Sequence, residues 1–325
     1  MNKFDRIQQL ITMMSYKRPA YSASEKAFAD RFLLPVFGNP DRFGNFIHIV
    51  GNQPDVMFAA HYDTVHKNEG MQSVTMDHAT GIMSKTKVDG ECLGADCTTG
   101  VWMLLNMIEA GVEGVYVCHA AEEVGGIGSR GIVEDYVNNP NHNYPWLDYI
   151  YSVISLDRLG TTSVVTHQSG ERTCSDIFGY SLIDALGNQW SYELDKHGSY
   201  TDSMEYAEII PECTNISVGY YNQHTMRETQ DVFFALTLLE KLKEADWGRL
   251  EIEREPTPLA IWTSPEETDM DVKEIIEIEA IERLIADHPK RLAEMLYDLN
   301  LDVELLVEHL QLDHFQTAYY RRSYH

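Results

Sequence analysis

The sequence predicts an α/β fold, with a mixed, mostly parallel sheet carrying helices on both faces and a small helical C-terminal appendage. Three observations carry this expectation. Between residue 45 and about residue 245, short β-branched runs alternate with longer segments of helical period. A chain of 325 residues that is 44% hydrophobic and 10% aromatic has ample material for a packed core. Near residue 251 the texture changes, with three prolines in EIEREPTPLAIWTSPEET, and the remaining residues turn strongly acidic.

Taken in order, the apolar spacing predicts helices at 4–14 and 24–32, then strands at 45–50 (NFIHIV) and 56–61 (VMFAAH). Residues 66–91, rich in Lys, Met, Thr and Gly, read as a hairpin or loop inserted after the second strand, too short to be a domain. A helix at 99–110, a strand at 114–119 (GVYVCH) and a helix at 129–137 follow. Strands at 149–156 and 163–167, a helix at 174–186, a strand at 215–221 and a helix at 231–245 complete the alternation. Open sheets of this kind place their chemistry at the carboxyl ends of the strands.

The predicted division is a catalytic domain at 1–247, a linker at 248–268 and an acidic helical appendage at 269–325. From Gly248 onward there are 8 basic and 18 acidic residues. The spacing of Ile275, Ile278, Ile281 and Ile285, then Leu292, Leu296 and Leu299, then Leu305, Leu306 and Leu310 predicts two or three amphipathic helices, the first ended by Pro289. The cadence resembles a helix-turn-helix, yet Asp302, Glu304 and Glu308 stand where a DNA reader needs Arg or Lys. Packing on the catalytic domain or self-association through these helices is the expectation.

Overall, 25 Lys and Arg stand against 51 Asp and Glu, a formal charge of −26. Such a surface repels phosphate and gains nothing from counterion release, which argues against nucleic acid and anionic membranes as partners. The five cysteines, at 92, 97, 118, 174 and 213, form no C-x-x-C pair and read as reduced. The first residues show no signal-peptide pattern, and no segment approaches the roughly 20 apolar residues of a membrane span. The expected compartment is the cytoplasm.

Five strand ends bring ligand-type residues. In MFAAHYDTV, His61 and Asp63 fall where the apolar run stops, and residues two apart on a strand share a face, so Asp63 can reach the His61 ring. A carboxylate there fixes the imidazole tautomer and improves the other nitrogen as a ligand, although the same pair also occurs as a local hydrogen bond. Asp96, in LGADCTTG, stands before a helix and is either a ligand or an N-cap. Glu122 and Glu123 emerge side by side from a buried strand, where a cation would relieve their repulsion and leave one free to handle protons. Asp157 in ISLDRLG and His224 in GYYNQHTMRET are each the first strong ligand type after a buried strand.

Two imidazoles and three carboxylates, one able to bridge, give each of two ions a nitrogen and two oxygens. That set suits zinc, with cobalt or manganese as substitutes. Two ions about 3.5–4 Å apart can generate a hydroxide and hold both oxygens of a tetrahedral intermediate, so the chemistry expected is hydrolysis.

The ordered series H-x-D, G-A-D, E-E-x-G, D and H resembles the co-catalytic di-zinc exopeptidases of the bacterial leucyl aminopeptidase type, in the clan that also holds related carboxypeptidases and deacylases. The resemblance covers roughly residues 1–245. It implies that His61, Asp96 and Asp157 hold one zinc, and that Asp96, Glu123 and His224 hold the other. It further implies that Asp96 bridges, that Glu122 is the general base acting on a metal-bridging water, and that Asp63 orients His61. The bond from Asp96 to Cys97 is then expected to be cis. T-D-S at 201–203 resembles a family feature near the substrate pocket, and H-T-x-x-E at 224–228 one that supports the last ligand. Only 67 residues separate Asp157 from His224 and 35 separate His61 from Asp96, leaving no room for the lid or dimerisation domain of other branches. The compact aminopeptidase branch fits.

Cys97 departs from the acidic residue or Asn common at that position, and reads either as an oxidation-sensitive neighbour or as a small buried residue. Tyr200 is the nearest candidate for oxyanion stabilisation. Arg158 either binds a substrate carboxylate or pairs with a neighbouring acid. The leading expectation is a metal-dependent aminopeptidase acting on small peptides. The alternatives are a deacylase or carboxypeptidase on acyl-amino-acid substrates, and a non-catalytic, metal-stabilised scaffold whose tail recruits a partner. An unligated Glu122 argues against the last.

Overall fold

The computed structural model describes residues 2–87, 89–187 and 192–256. The appendage expected at 269–325, its amphipathic helices and any self-association through them lie outside the described residues.

Helix α1 (Lys3–Met14) starts where the Asn2 side chain accepts from the Asp5 amide, and it buries Leu10, Met13 and Met14 on one face. Helix α2 (Ala23–Phe28) is capped by Ser22 but is shorter than the helix expected at 24–32. It widens into a π turn at Ala29–Leu33 before a last turn, Leu34–Phe37. Pro35 lacks the N–H that would continue the ladder, which is why the regular helix is lost there.

The main sheet has seven strands: β1 (Phe46–Val50), β2 (Val56–His61), β3 (Gly114–His119), β4 (Ser152–Arg158), β5 (Ser163–Val165), β6 (Glu193–Asp195) and β7 (Glu212–Ser217). Their order is β6-β5-β7-β4-β2-β3-β1, with β3, β2, β4 and β7 mutually parallel and β1 antiparallel at one edge. The β5-β7 pair is antiparallel and the β6-β5 pair parallel. Strand alternation divides the core in two. Phe58, Ala60, Tyr116, Cys118, Ile154 and Leu156 pack with α1, α3 (Ala95–Ala110) and the later α6 (Val232–Glu244). Met57, Ala59, Val115, Val117 and Val153 face the other way, towards Ile132 of α4 (Ile127–Asn138) and Tyr206 and Ile210. Helix α5 (Asp176–Ala185) lies within the expected 174–186.

Four differences from the expected elements have local causes. Strand β4 begins at Ser152 rather than 149 because Pro145–Tyr149 forms a 3-10 turn, and it runs on to Arg158, so that Asp157 sits inside the strand. The strand expected at 215–221 is divided by Gly219, whose φ of +93° turns the chain out of the main sheet. Tyr220–Tyr221 then joins a four-stranded sheet with Thr229–Asp231 and the hairpin Val74–Met76/Ile82–Lys85, so the insert at 66–91 is a hairpin with partners. Strand β6 was not expected, because with Leu194 as its only apolar residue it carries no period.

The stretch assigned to the linker begins bound to the body. Buried Glu212 accepts from the amides of Glu253 and Arg254, and the Arg254 guanidinium donates to the carbonyls of Ala207, Ile210 and Pro211. A chain ending at Trp247 is therefore expected to be less stable than one ending at Pro256 by on the order of 3 kcal/mol, since hydrogen bonds of charged groups are worth about 1.5–3 kcal/mol each. Equal denaturation midpoints for the two truncations would show that 251–254 contributes nothing. Among the described residues no helix is long and apolar enough to cross a membrane.

Candidate functional site

The parallel register assembles the site. His61 of β2 lies opposite His119 of β3, three residues before Glu122, and Ala59 lies opposite Ser155 of β4, which places His61 level with Asp157. Strand ends that start at equal depth therefore deliver their side chains to one edge.

At that edge His61 Nε2 is 3.1 Å from Asp96 Oδ1, 3.5 Å from Asp157 Oδ1 and 3.9 Å from Glu122 Oε2. His224 Nε2 is 3.1 Å from Asp96 Oδ2 and 3.4 Å from Glu123 Oε2. The two oxygens of Asp96 thus face different imidazoles. All six expected residues meet, although His224 arrives from the hairpin loop between Tyr220–Tyr221 and Thr229–Asp231 of the small sheet, at a φ of +61°, rather than from the end of a main-sheet strand. Asp96 is not an N-cap. It and Cys97 have non-helical backbone angles, the Asp96–Cys97 bond is cis as the resemblance implies, and regular helix starts beyond them.

Asp63 stands behind His61, its Oδ1 3.3 Å from Nδ1, and also accepts from the amides of Glu122 and Glu123 at 3.1 Å each. One carboxylate thus orients the imidazole and the paired-glutamate turn together. Thr201 donates to Asp157 Oδ2 at 2.8 Å, and the backbone of Asp157 is pinned by Asn215 and the Tyr220 hydroxyl. Glu228 does not support His224 as the resemblance implies. Its carboxylate accepts from four consecutive amides, Leu93 to Asp96, and so shapes the loop that presents Asp96.

Arg18 was missed at the level of sequence. Fully buried, it donates to the Tyr62 carbonyl at 2.8 Å and the Thr98 hydroxyl at 2.7 Å, and its guanidinium lies over the Phe28 ring. It ties the segment carrying His61 and Asp63 to the one carrying Asp96. No local signal marks it, because its partners are 44 and 80 residues away.

The electrostatics describe a site short of positive charge. Burial, opposed by His61 and reinforced by Asp202, Asp157 and Glu123, pushes the Glu122 carboxyl up to about 10. Burial also raises Asp157 and Glu123, and brings Asp202 to about 8. Asp96 differs: burial opposes its charge, but hydrogen bonds with His224 and His61 hold it well below the usual carboxylate range. Hydrogen bonds to Asp96 and Glu123 raise His224 to about 10.

Glu123 Oε1 and Asp157 Oδ1 are buried with no hydrogen-bond partner, on the two sides of Asp96. Buried anionic oxygens without donors are costly unless a cation meets them. The residues present fit divalent ions: Asp96, Glu123 and His224 offer ligand atoms within 4.8 Å of one another, as do His61, Glu122 and Glu123, and His61 Nε2 also stands 3.1 Å from Asp96 and 3.5 Å from Asp157. Cys97 joins a third such group with His61 and Asp157, but its sulfur donates to the Leu156 carbonyl and burial holds it as a thiol. A cleft of about 90 Å³ opens over Asp96, Glu122, Glu123, Asp157 and His224, walled by Arg158 and Tyr200.

No protein-family profile matches the sequence, and no curated protein does. Solved structures do share the fold. Aminopeptidase PepT from Bacillus cereus matches with a TM-score of 0.58 at 12% identity over 75% of this chain and 98% of its own. A tripeptidase from Staphylococcus aureus matches at 0.58, with 12% identity over 75% and 97%. A TET aminopeptidase from a marine-sediment thaumarchaeon matches at 0.56, with 12% identity over 75% and 96%. The architecture, a mixed sheet with helices on both faces, is thus one that solved peptidases use.

Proposed function

We propose that this chain is a metal-dependent hydrolase of amide bonds in small peptides, most simply an aminopeptidase. The observation that carries this is the facing of the two Asp96 oxygens towards two separate imidazoles, with a further acid beside each. In this reading His61, Asp96 and Asp157 hold one divalent ion and Asp96, Glu123 and His224 a second, zinc being the best match to the donors, with cobalt or manganese as substitutes. The ions, when bound, supply Lewis acidity to the scissile carbonyl and acidify water.

The rest falls to the chain. Glu122, ionised once cations stand beside it, accepts a proton from the attacking water at its carboxylate and passes it to the departing amine as the C–N bond breaks. Asp63 keeps the His61 tautomer and the orientation of the glutamate pair. Tyr200, whose hydroxyl donates to Glu205 at 2.8 Å on the cleft wall, is the candidate to meet the oxyanion by turning from that partner. The five buried, unpaired cysteines support a reducing, cytoplasmic setting.

Metal analysis with a panel of aminoacyl amides and acyl-amino-acid amides tests the reading. Up to two zinc-like ions per chain are expected, with hydrolysis of substrates bearing a free amine, abolished by chelation and restored by added metal. Turnover only of acylated substrates would transfer the assignment to a deacylase, and metal without any turnover to a scaffold.

A further inference from the structure

Among its described lining residues the cleft holds four carboxylates and one guanidinium, Arg158. Its Nη2 donates to Asp195 Oδ2 at 2.9 Å and to the His197 carbonyl at 3.1 Å. Asp195 is itself held by the His197 amide at 2.8 Å. The side chain is thus braced against the end of β6 rather than free to swing. The ion pair with Asp195 engages Nη2 alone; Nε is shielded from solvent, and among the described residues Nη1 makes no hydrogen bond, which leaves it for a ligand in the cleft. Guanidinium presents several N–H donors in one plane, suited to carboxylate oxygens.

The cleft's other walls offer neutral polar groups, Ser199, Tyr200 and Gln223. In a chain of net charge −26, an anionic end of a substrate has few places to bind. Arg158 and Asp157 line the same cleft of about 90 Å³, so a carboxylate held by Arg158 lies close to a carbonyl over Asp157.

We infer that Arg158 binds a carboxylate of the substrate just beyond the scissile bond, so that the preferred substrates are very short peptides with a free C-terminus, or peptides with an acidic residue at that place. This rests on the peptide-hydrolase reading above and adds the substrate class to it.

The test uses the metal-loaded full chain carrying Glu122→Gln, so that ligands bind without turnover, with Leu-Gly, Leu-Gly amide and Leu-Asp amide as probes in calorimetry. Leu-Gly, or Leu-Asp amide if the acidic side chain is the group recognised, is expected to bind at least tenfold more tightly than Leu-Gly amide. Adding Arg158→Met is expected to bring that advantage close to nothing, and Arg158→Lys to restore part of it. Equal affinities for the acid and amide probes, which need no change at Arg158, overturn the inference, as does an advantage that survives Arg158→Met in a folded protein. Hydrolysis of Leu-Gly, Leu-Asp amide and leucine amide by the unaltered chain is measured in parallel. Turnover without carboxylate preference sinks the role of Arg158 alone, and carboxylate preference without turnover sinks the hydrolase reading alone.

Discussion

Glu122→Gln is expected to lower turnover by about 10²–10⁴-fold while metal content stays near that of the unaltered chain. Gln keeps the shape of the side chain and the amide that donates to Asp63, and removes only the group that carries the proton. Glu123→Gln is expected to behave differently. Its Oε2 faces His224 and its Oε1 has no partner, so an amide there weakens metal retention itself, because an amide oxygen is a poorer ligand than a carboxylate. Metal analysis and steady-state rates on the two variants separate these roles. Near-normal rates with Glu122→Gln would rule out the proton transfer, and loss of metal at 122 with retention at 123 would mean the two are assigned the wrong way round.

The second large effect concerns the imidazoles. In the proposed ligand sets each histidine is the sole nitrogen ligand of one ion, so His61→Ala and His224→Ala are each expected to lower the affinity of one site by more than the roughly 10–100-fold that loss of an outer partner costs. The two variants differ in stability. The His224 side chain is 48% exposed and its removal leaves the fold intact, whereas His61 is 1% exposed and its loss leaves Asp63 facing a void. Metal titration followed by thermal melting, with and without zinc, reads both quantities. Two ions bound with unchanged affinity in both variants would defeat the ligand assignment.

The alternation of strand and helix was legible because burial on both faces leaves long apolar strands, as in 56–61 and 114–119, where expected and observed ends coincide. Strand β6 and the break at Gly219 were not, because a three-residue edge strand and a single glycine leave no periodic trace. His61, Glu122, Glu123 and Asp157 could be named because each is a chemically strong group at the end of an apolar run, whereas Asp96 precedes a helix and His224 lies in a hairpin loop. Their supports could not. Glu228 reaches the Asp96 loop across more than 130 residues, and the expectation that it served its neighbour His224 followed the chain rather than space.

The sequence by itself determined which residue types stand at the strand ends, since local apolar runs and their interruption are properties of the chain alone. Only the tertiary structure decided that Asp96 turns one oxygen to each histidine, that Arg18 ties the segment of His61 and Asp63 to that of Asp96, and that Arg158 stands braced on the cleft wall through one nitrogen. Those are relations between segments distant in the chain. Strand register, buried hydrogen bonds and the exclusion of water set them, and none of these has a local signature.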